Sequence, residues 1–121
     1  MANLNENSIC KLSTTTAVNA QAAASTLIYT VPTGKTLIIT SVVVRTPSAT
    51  LAGGTSYGVT NFRAAVDLSS MTTATTDYME IRGADVTKYT ASVAGTAIYF
   101  VVTTGSTGVA TVAIDLFGYL Y

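Results

Sequence analysis

The chain has 121 residues, 49% of them hydrophobic and 10% charged, and its six basic and six acidic side chains cancel. That length suits one compact domain, and the charge content falls well below the roughly 25% of an average soluble domain. No basic stripe is available for nucleic acid, no apolar stretch reaches the roughly 20 residues of a membrane span, and the absence of histidine removes Ser-His-Asp and Cys-His constellations.

The polar surface therefore falls to hydroxyls and amides, with Thr supplying 23 residues. Mean hydropathy is +0.47. Such surfaces repel one another weakly, so part of this one is expected to be covered by partner subunits; a hydroxyl-rich soluble monomer is the alternative. Cys10 is the single cysteine. It permits no intrachain disulfide and has no base to activate it, so it reads as a small apolar filler. The opening MANLNENSICKL lacks the apolar run of a signal peptide, and Glu6 precedes any basic residue. Synthesis in a cytosol is expected.

Residues 1–25 read as an N-terminal arm, within which AVNAQAAAS (Ala17–Ser25) has the propensity for one or two helical turns but equally suits an extended segment. The main domain is expected over 26–121. It begins with LIYTVPTGKTLIITSVVVRTP (27–47), where Gly34-Lys35-Thr36 resembles the end of a phosphate-binding loop. The required first glycine, five residues before Gly34, is Tyr29. Pro32 removes a backbone N–H that a phosphate cradle needs. The segment after Thr36 is rich in β-branched residues, which favour a strand over the helix of a phosphate loop. Val31-Pro32-Thr33-Gly34 is instead a turn, with Pro presetting φ and Gly accepting a positive one. The spacing predicts strands over about 26–31 and 36–45, joined as a hairpin.

Pro47 ends the second strand, and Ala52-Gly53-Gly54-Thr55 is a loop. Tyr57–Leu68 carries a weaker strand pattern with Val59, Phe62 and Val66 as core anchors. Ser69–Thr76 is a polar connection. In Tyr78–Arg82 the alternation places Tyr78, Glu80 and Arg82 on one face and Met79 and Ile81 on the other. Further strands are expected over Thr87–Val93, over the strongly apolar Thr96–Thr103, which reads as central, and over Val109–Tyr119. Thr104–Gly108 is a tight turn. In the last strand Val112, Ile114 and Leu116 share one face, and Thr111, Ala113 and Asp115 the other. About seven to eight short strands separated by turn signals predict an all-β, antiparallel sandwich, jelly-roll-like. A true immunoglobulin domain is excluded, because the chain has one Cys and no Trp.

The carboxylates suggest no chemistry. Asp77 and Glu80 are closest in sequence, but an odd offset on a strand puts them on opposite faces. Asp115 sits mid-strand, where a cross-strand Lys or Arg is the ordinary partner. Asp77, Glu80 and Asp85 match no calcium-loop spacing. No cofactor, metal or catalytic residue is assigned. Among the seven tyrosines, most read as strand formers. The ending DLFGYLY is the exception, since an apolar segment of this kind docks either on its own sheet or on a neighbouring subunit. Candidate interface residues are Tyr119, Leu120, Tyr121, Tyr57 and Phe62.

The order YTVPTGKTLIITSVVVRTPSATLAGGT, then VDLSSMTTATTDYM, then ATVAIDLFGYLY resembles small virion structural proteins of tailed bacteriophages. The resemblance runs from about Leu27 to Tyr121. It implies a β-sandwich protein of the particle, of the head decoration or cement type, seated on the major capsid protein as a homotrimer at the outer capsid surface and reinforcing the shell. YGVTNFR (Tyr57–Arg63) is shorter and less acidic than that pattern, and the first 25 residues fall outside it. Two readings from other classes stand beside it: a receptor- or glycan-binding module of a tail or head fibre, suggested by the tyrosines and hydroxyls, and a carboxylate-based glycosidase.

Overall fold

A computed structural model describes residues 9–72, 77–83 and 90–121. Nine strands run in chain order: β1 (Cys10–Asn19), β2 (Ser25–Thr30), β3 (Leu37–Arg45), β4 (Ser56–Val59), β5 (Arg63–Val66), β6 (Tyr78–Ile81), β7 (Ala91–Ser92), β8 (Ala97–Thr104) and β9 (Thr111–Leu120). No helix occurs among the described residues. The strands form two antiparallel sheets. Sheet I has the order β1-β9-β3-β6, with β7 also pairing with β3; sheet II has the order β2-β8-β4-β5. The protein is an all-β sandwich.

The alternation read from the sequence decides what lies between the sheets. Sheet I contributes Leu37, Ile39, Val42 and Val44 from β3, and Val112, Ile114, Leu116 and Leu120 from β9, all buried. Sheet II contributes Ile28, Tyr57, Val59, Ile98, Phe100 and Val102. Loop residues Leu51, Leu68 and Met71 close one end of the same core. Phe62 and Val66 pack against it only in part, whereas Val59 is fully inside. The expected strand over Tyr57–Leu68 is the β4–β5 hairpin, broken at Thr60–Phe62, where Asn61 takes a left-handed φ of 57° and the Phe62 N–H donates to the Val59 carbonyl at 3.1 Å.

Two expectations are corrected. Strands β2 and β3 are not a hairpin: β2 pairs with β8 and β3 with β9, in opposite sheets. The turn at Val31-Pro32-Thr33-Gly34 forms within the 31–36 connection, with Gly34 at φ 77° and the Lys35 N–H donating to the Pro32 carbonyl at 3.2 Å. The connection's six residues are long enough to cross the roughly 10 Å between stacked sheets, which lets each strand bury its own apolar face from opposite sides. The N-terminal segment, read as an arm with helical turns and an extended form both open over 17–25, has no helix among its described residues, and residues 10–19 are a strand of sheet I. β1 lies along β9 from Cys10↔Gly118 to Asn19↔Thr111. The pattern is obscured by a bulge between Thr15 and Val18, where Ala17 takes φ 54° and the facing of the strand resets. Asn19 then turns the chain by accepting the N–H groups of Gln21 and Ala22 at 2.8 and 2.9 Å.

The expected strand over Thr87–Val93 appears as the short β7; its residues 87–89, like residues 1–8 and 73–76, lie outside the described segments. β8 is central in sheet II and β9 in sheet I. Both rims of the sandwich are stitched by side chains. On the β1/β2 rim the Ser13 hydroxyl donates to the Ile28 carbonyl at 3.0 Å. On the opposite rim Arg63 Nη1 donates to the Arg82 carbonyl at 3.0 Å, and Asn61 Nδ2 to Ser92 Oγ at 3.0 Å.

Candidate functional site

The strand register lays out the outer face of sheet I in rows. Residues facing the core fix which neighbours must face out. Arg45 lies between Tyr78 and Ala113; Val43 between Glu80 and Asp115; Ser41 beside Phe117; and Ile38 between Ala91 and Tyr119. From β1, Thr14 continues the Asp115 row and Lys11 the Phe117 row. In a last row, Thr36 and Tyr121 exchange backbone hydrogen bonds of 2.8 and 3.0 Å.

The face thus has two halves of different chemistry. In the first half, the charges neutralise one another. Asp115 Oδ2 accepts from Arg45 Nε at 2.8 Å, and Oδ1 accepts from the Thr14 hydroxyl at 2.8 Å. Burial opposes ionisation of Asp115. The hydrogen bonds from Arg45 and Thr14, with the charges of Arg45 and Lys11, outweigh it and hold the carboxyl below its ordinary value. The same contact raises Arg45 above its usual value. Glu80 and Arg82 pair at 2.6 Å. The cross-strand cation expected for Asp115 is therefore Arg45.

The second half is apolar. Ile38, Phe117 and Tyr119 are half-buried and Tyr121 is 53% exposed; Ile9 and Val93, at the ends of β1 and β7, are exposed by 68% and 67%. Ile9 immediately precedes β1 and Val93 immediately follows β7, both outside the strands. The Tyr119 and Tyr121 rings lie 5.6 Å apart.

The five interface candidates separate in this frame. Tyr119 and Tyr121 belong to the outer face. Leu120, between them, points inward and is buried. The DLFGYLY segment is thus docked on its own sheet through its backbone and Leu120, while its tyrosines face away. Tyr57 offers no surface at all. It is fully buried, stacks on Phe100 with ring centroids 5.6 Å apart, and donates its hydroxyl to the Ala20 carbonyl at 2.7 Å. Burial raises its phenol above the ordinary value, against a smaller opposing hydrogen bond from Ser106. Phe62 sits in the β4–β5 turn and leans on the core. The sequence reading missed Ile9, Ile38, Val93 and Phe117 as surface. The alternation IDLFGY around Phe117 carried that signal, but only the pairing with β3 brings Ile38 beside Tyr119.

The remaining carboxylates have structural partners. The Ser69 side chain, and then the Ser69 N–H that Asp67 accepts at 2.8 Å, hold the Asp67 carboxyl below its ordinary value. Asp77 accepts the Thr72 N–H at 2.6 Å. Glu6 and Asp85 lie outside the described segments. No group of three or more His, Cys, Asp or Glu side chains placed to hold a metal occurs among the described residues. A shallow cavity of about 420 Å³ lies over β4, β5 and β8, lined by residues including Gly58, Thr60, Ala64 and Val101, with Phe62 its one aromatic residue. The guanidinium of Arg63, also in the lining, is engaged by the Ala65 and Arg82 carbonyls. Comparison of the chain with protein-family models, curated proteins and solved structures finds no match.

Proposed function

We propose that this protein is a non-enzymatic structural component of a bacteriophage virion, a head decoration or cement protein that binds the outer capsid surface and stiffens the shell. The observation that carries the reading is the outer face of sheet I. It combines a partly exposed apolar half, bordered by Lys11, with two ion pairs formed within the chain, on a sandwich whose rims are stitched by side chains. A surface of this kind is suited to permanent association. The resemblance of the 27–121 segment to small phage virion proteins supports the same reading. So does the strand order. Apart from the β4–β5 hairpin and the β6–β7 pair, consecutive strands pass between the two sheets, and β6 and β7 follow one another along the same edge of β3, so each sheet counts four strand positions, as in a jelly roll.

The mechanism is mechanical. A stitched sandwich bridging neighbouring capsid subunits adds binding energy across their seams, and internal pressure must break those contacts as well as the shell's own. The decisive test measures copy number by quantitative mass spectrometry of purified particles, followed by heat-induced genome release with and without the protein. Many copies in fixed ratio to the major capsid protein, and earlier release without it, are expected. Absence from particles, or identical release curves, would reject the proposal.

A further inference from the structure

We infer that the shallow cavity on the outer face of sheet II binds a sugar that carries a carboxylate, with Arg63 as the group that reads the acid. Three observations point to that ligand class.

The first is an uncompensated charge. Strands β2, β4, β5 and β8 contain one charged residue between them, Arg63. The other two arginines are paired, Arg45 with Asp115 and Arg82 with Glu80. Arg63 has no carboxylate partner among the described residues. The acid nearest to it in sequence, Asp67, lies just past β5 and is engaged by Ser69. The guanidinium is nonetheless held in place. Nε donates to the Ala65 carbonyl at 3.3 Å and Nη1 to the Arg82 carbonyl at 3.0 Å, while Nη2 has no acceptor among the described residues. A planar fork fixed at two nitrogens and open at the third is pre-organised for an oxyanion, and a carboxylate matches its geometry.

The second is the floor. Gly58 faces outward between the buried Tyr57 and Val59, opposite Val101. A Cβ on Gly58 would lie 2.6 Å from the Ala64 carbonyl oxygen, so glycine is required there and the floor stays bare. The resulting space, about 420 Å³, has the size of a small-molecule site.

The third is the mixed chemistry around Arg63. A sugar has an apolar face of C–H groups and a rim of hydroxyls. Phe62 lines the cavity, and Tyr99 and Leu27, 38% and 51% exposed, pair in the row beside Thr60 on the same outer face. These groups suit the C–H face. The side-chain oxygens of Thr60 and Asn61, also in the lining, are acceptors for the hydroxyls. A phosphate ion would use Arg63 and leave Phe62 and Tyr99 idle; an apolar acid would leave the two oxygens without a donor.

The test is two-dimensional amide NMR of the isotope-labelled full chain, titrated with glucuronate to about 50 mM at constant ionic strength. Saturable shifts are expected at Gly58, Thr60–Ala64 and Val101, with a dissociation constant in the millimolar range, since an open site buries little of its ligand. Glucose, a ring without the charge, and acetate, the charge without a ring, should each bind about tenfold more weakly or worse, and so should inorganic phosphate. Arg63→Gln should reduce glucuronate to the level of glucose. Arg63 also stitches the rim, so Ala64→Glu is the second variant. It leaves Arg63 and its two carbonyl contacts in the chain, places a competing carboxylate in the lining, and should weaken glucuronate about tenfold. Val109→Glu makes the same change of charge at a 74% exposed position outside the cavity and should leave binding unchanged. Circular dichroism confirms that each variant is folded. Absence of saturable shifts at the lining residues overturns the inference. So does glucose, acetate or phosphate matching glucuronate; a match by acetate would mean that the site reads a bare carboxylate, such as an acidic side chain of a partner protein. Binding that Ala64→Glu leaves intact, or that Val109→Glu weakens equally, overturns it as well. The measurement needs no particles and concerns the sheet opposite the face that carries the virion reading, so the two fail independently.

Discussion

Replacing Tyr57 with Phe removes one oxygen from the middle of the sandwich and probes how the β1–β2 connection is tied to the β8–β9 turn. The Tyr57 hydroxyl is fully buried and donates to the Ala20 carbonyl at 2.7 Å. That carbonyl is also held by the Ser106 N–H at 3.0 Å. The Ser106 hydroxyl lies 3.4 Å from it but has a shorter bond, 2.7 Å, to the Gly108 carbonyl. In Tyr57→Phe the acceptor therefore keeps a partner, and the large penalty of an orphaned buried carbonyl does not arise. The expected loss is one net hydrogen bond, about 1 kcal/mol. The ring keeps its stack on Phe100. For a chain of this size the loss corresponds to a fall of about 3–5 °C in Tm. Tyr57→Ala, which also empties the ring's volume, should cost about 3–5 kcal/mol. Urea unfolding followed by far-UV circular dichroism measures both, since the chain has no Trp to report. The slope of the transition should be unchanged in Tyr57→Phe. A loss above about 3 kcal/mol would mean that Ser106 does not hold Ala20, because only an orphaned carbonyl costs that much. No loss at all would mean that the hydroxyl is not bonded in the folded state.

Gly105→Ala should be more damaging than its size suggests. A Cβ there would collide with the Gln21 carbonyl and come within 2.6 Å of the Ala20 carbonyl, both rigid backbone. A loss of about 1–3 kcal/mol in the same urea assay is expected, and a neutral result would show that the 20–24 bend can retreat. Thr46→Gly should stabilise the fold by about 1 kcal/mol, because Thr46 is β-branched and held at φ 50°; calorimetry showing a lower Tm would refute the strain. Asp115→Asn should cost about 1–2 kcal/mol at neutral pH, since Arg45 loses a charged acceptor but the position keeps hydrogen-bonding groups. Asp115 titrates below its ordinary value in the folded chain, so its contribution is present above the ordinary carboxyl range and is lost as pH falls through the lowered one. The gap between wild type and Asp115→Asn, followed by urea midpoints, should therefore narrow on acidification from pH 5. A gap that widens would reverse the sign of the linkage.

Local pattern in the sequence was enough to assign strands 36–45, 78–82, 96–103 and 109–119 and, for 78–82 and 109–119, to sort their residues into two faces, because a period of two is a local property. It also placed the 31–36 turn, since Pro32 and Gly34 act on their own backbone angles. The charge-poor composition marked a surface short of self-repulsion before any geometry was known, and Asp115 on the outward side of the last strand called for a cation.

Pairing is not local, and the remaining features depended on it. A turn of six residues is compatible with a hairpin and with a crossing between sheets. Only the availability of β8 for β2 and of β9 for β3 chooses the crossing, since each strand then buries its apolar side against the other sheet. β1 was hidden because the bulge at Ala17 shifts its alternation, and Ala-rich sequence then imitates a helix. Tyr57 reads like any surface tyrosine until Phe100 and the Ala20 carbonyl arrive from more than 35 residues away. The apolar patch exists only in the assembled sheet. Ile38 and Tyr119 come from stretches about 80 residues apart, and the pairing of β3 with β9 is what sets them side by side. The sequence by itself determined which residues must leave water; the tertiary structure decided which of the others would stand together in it.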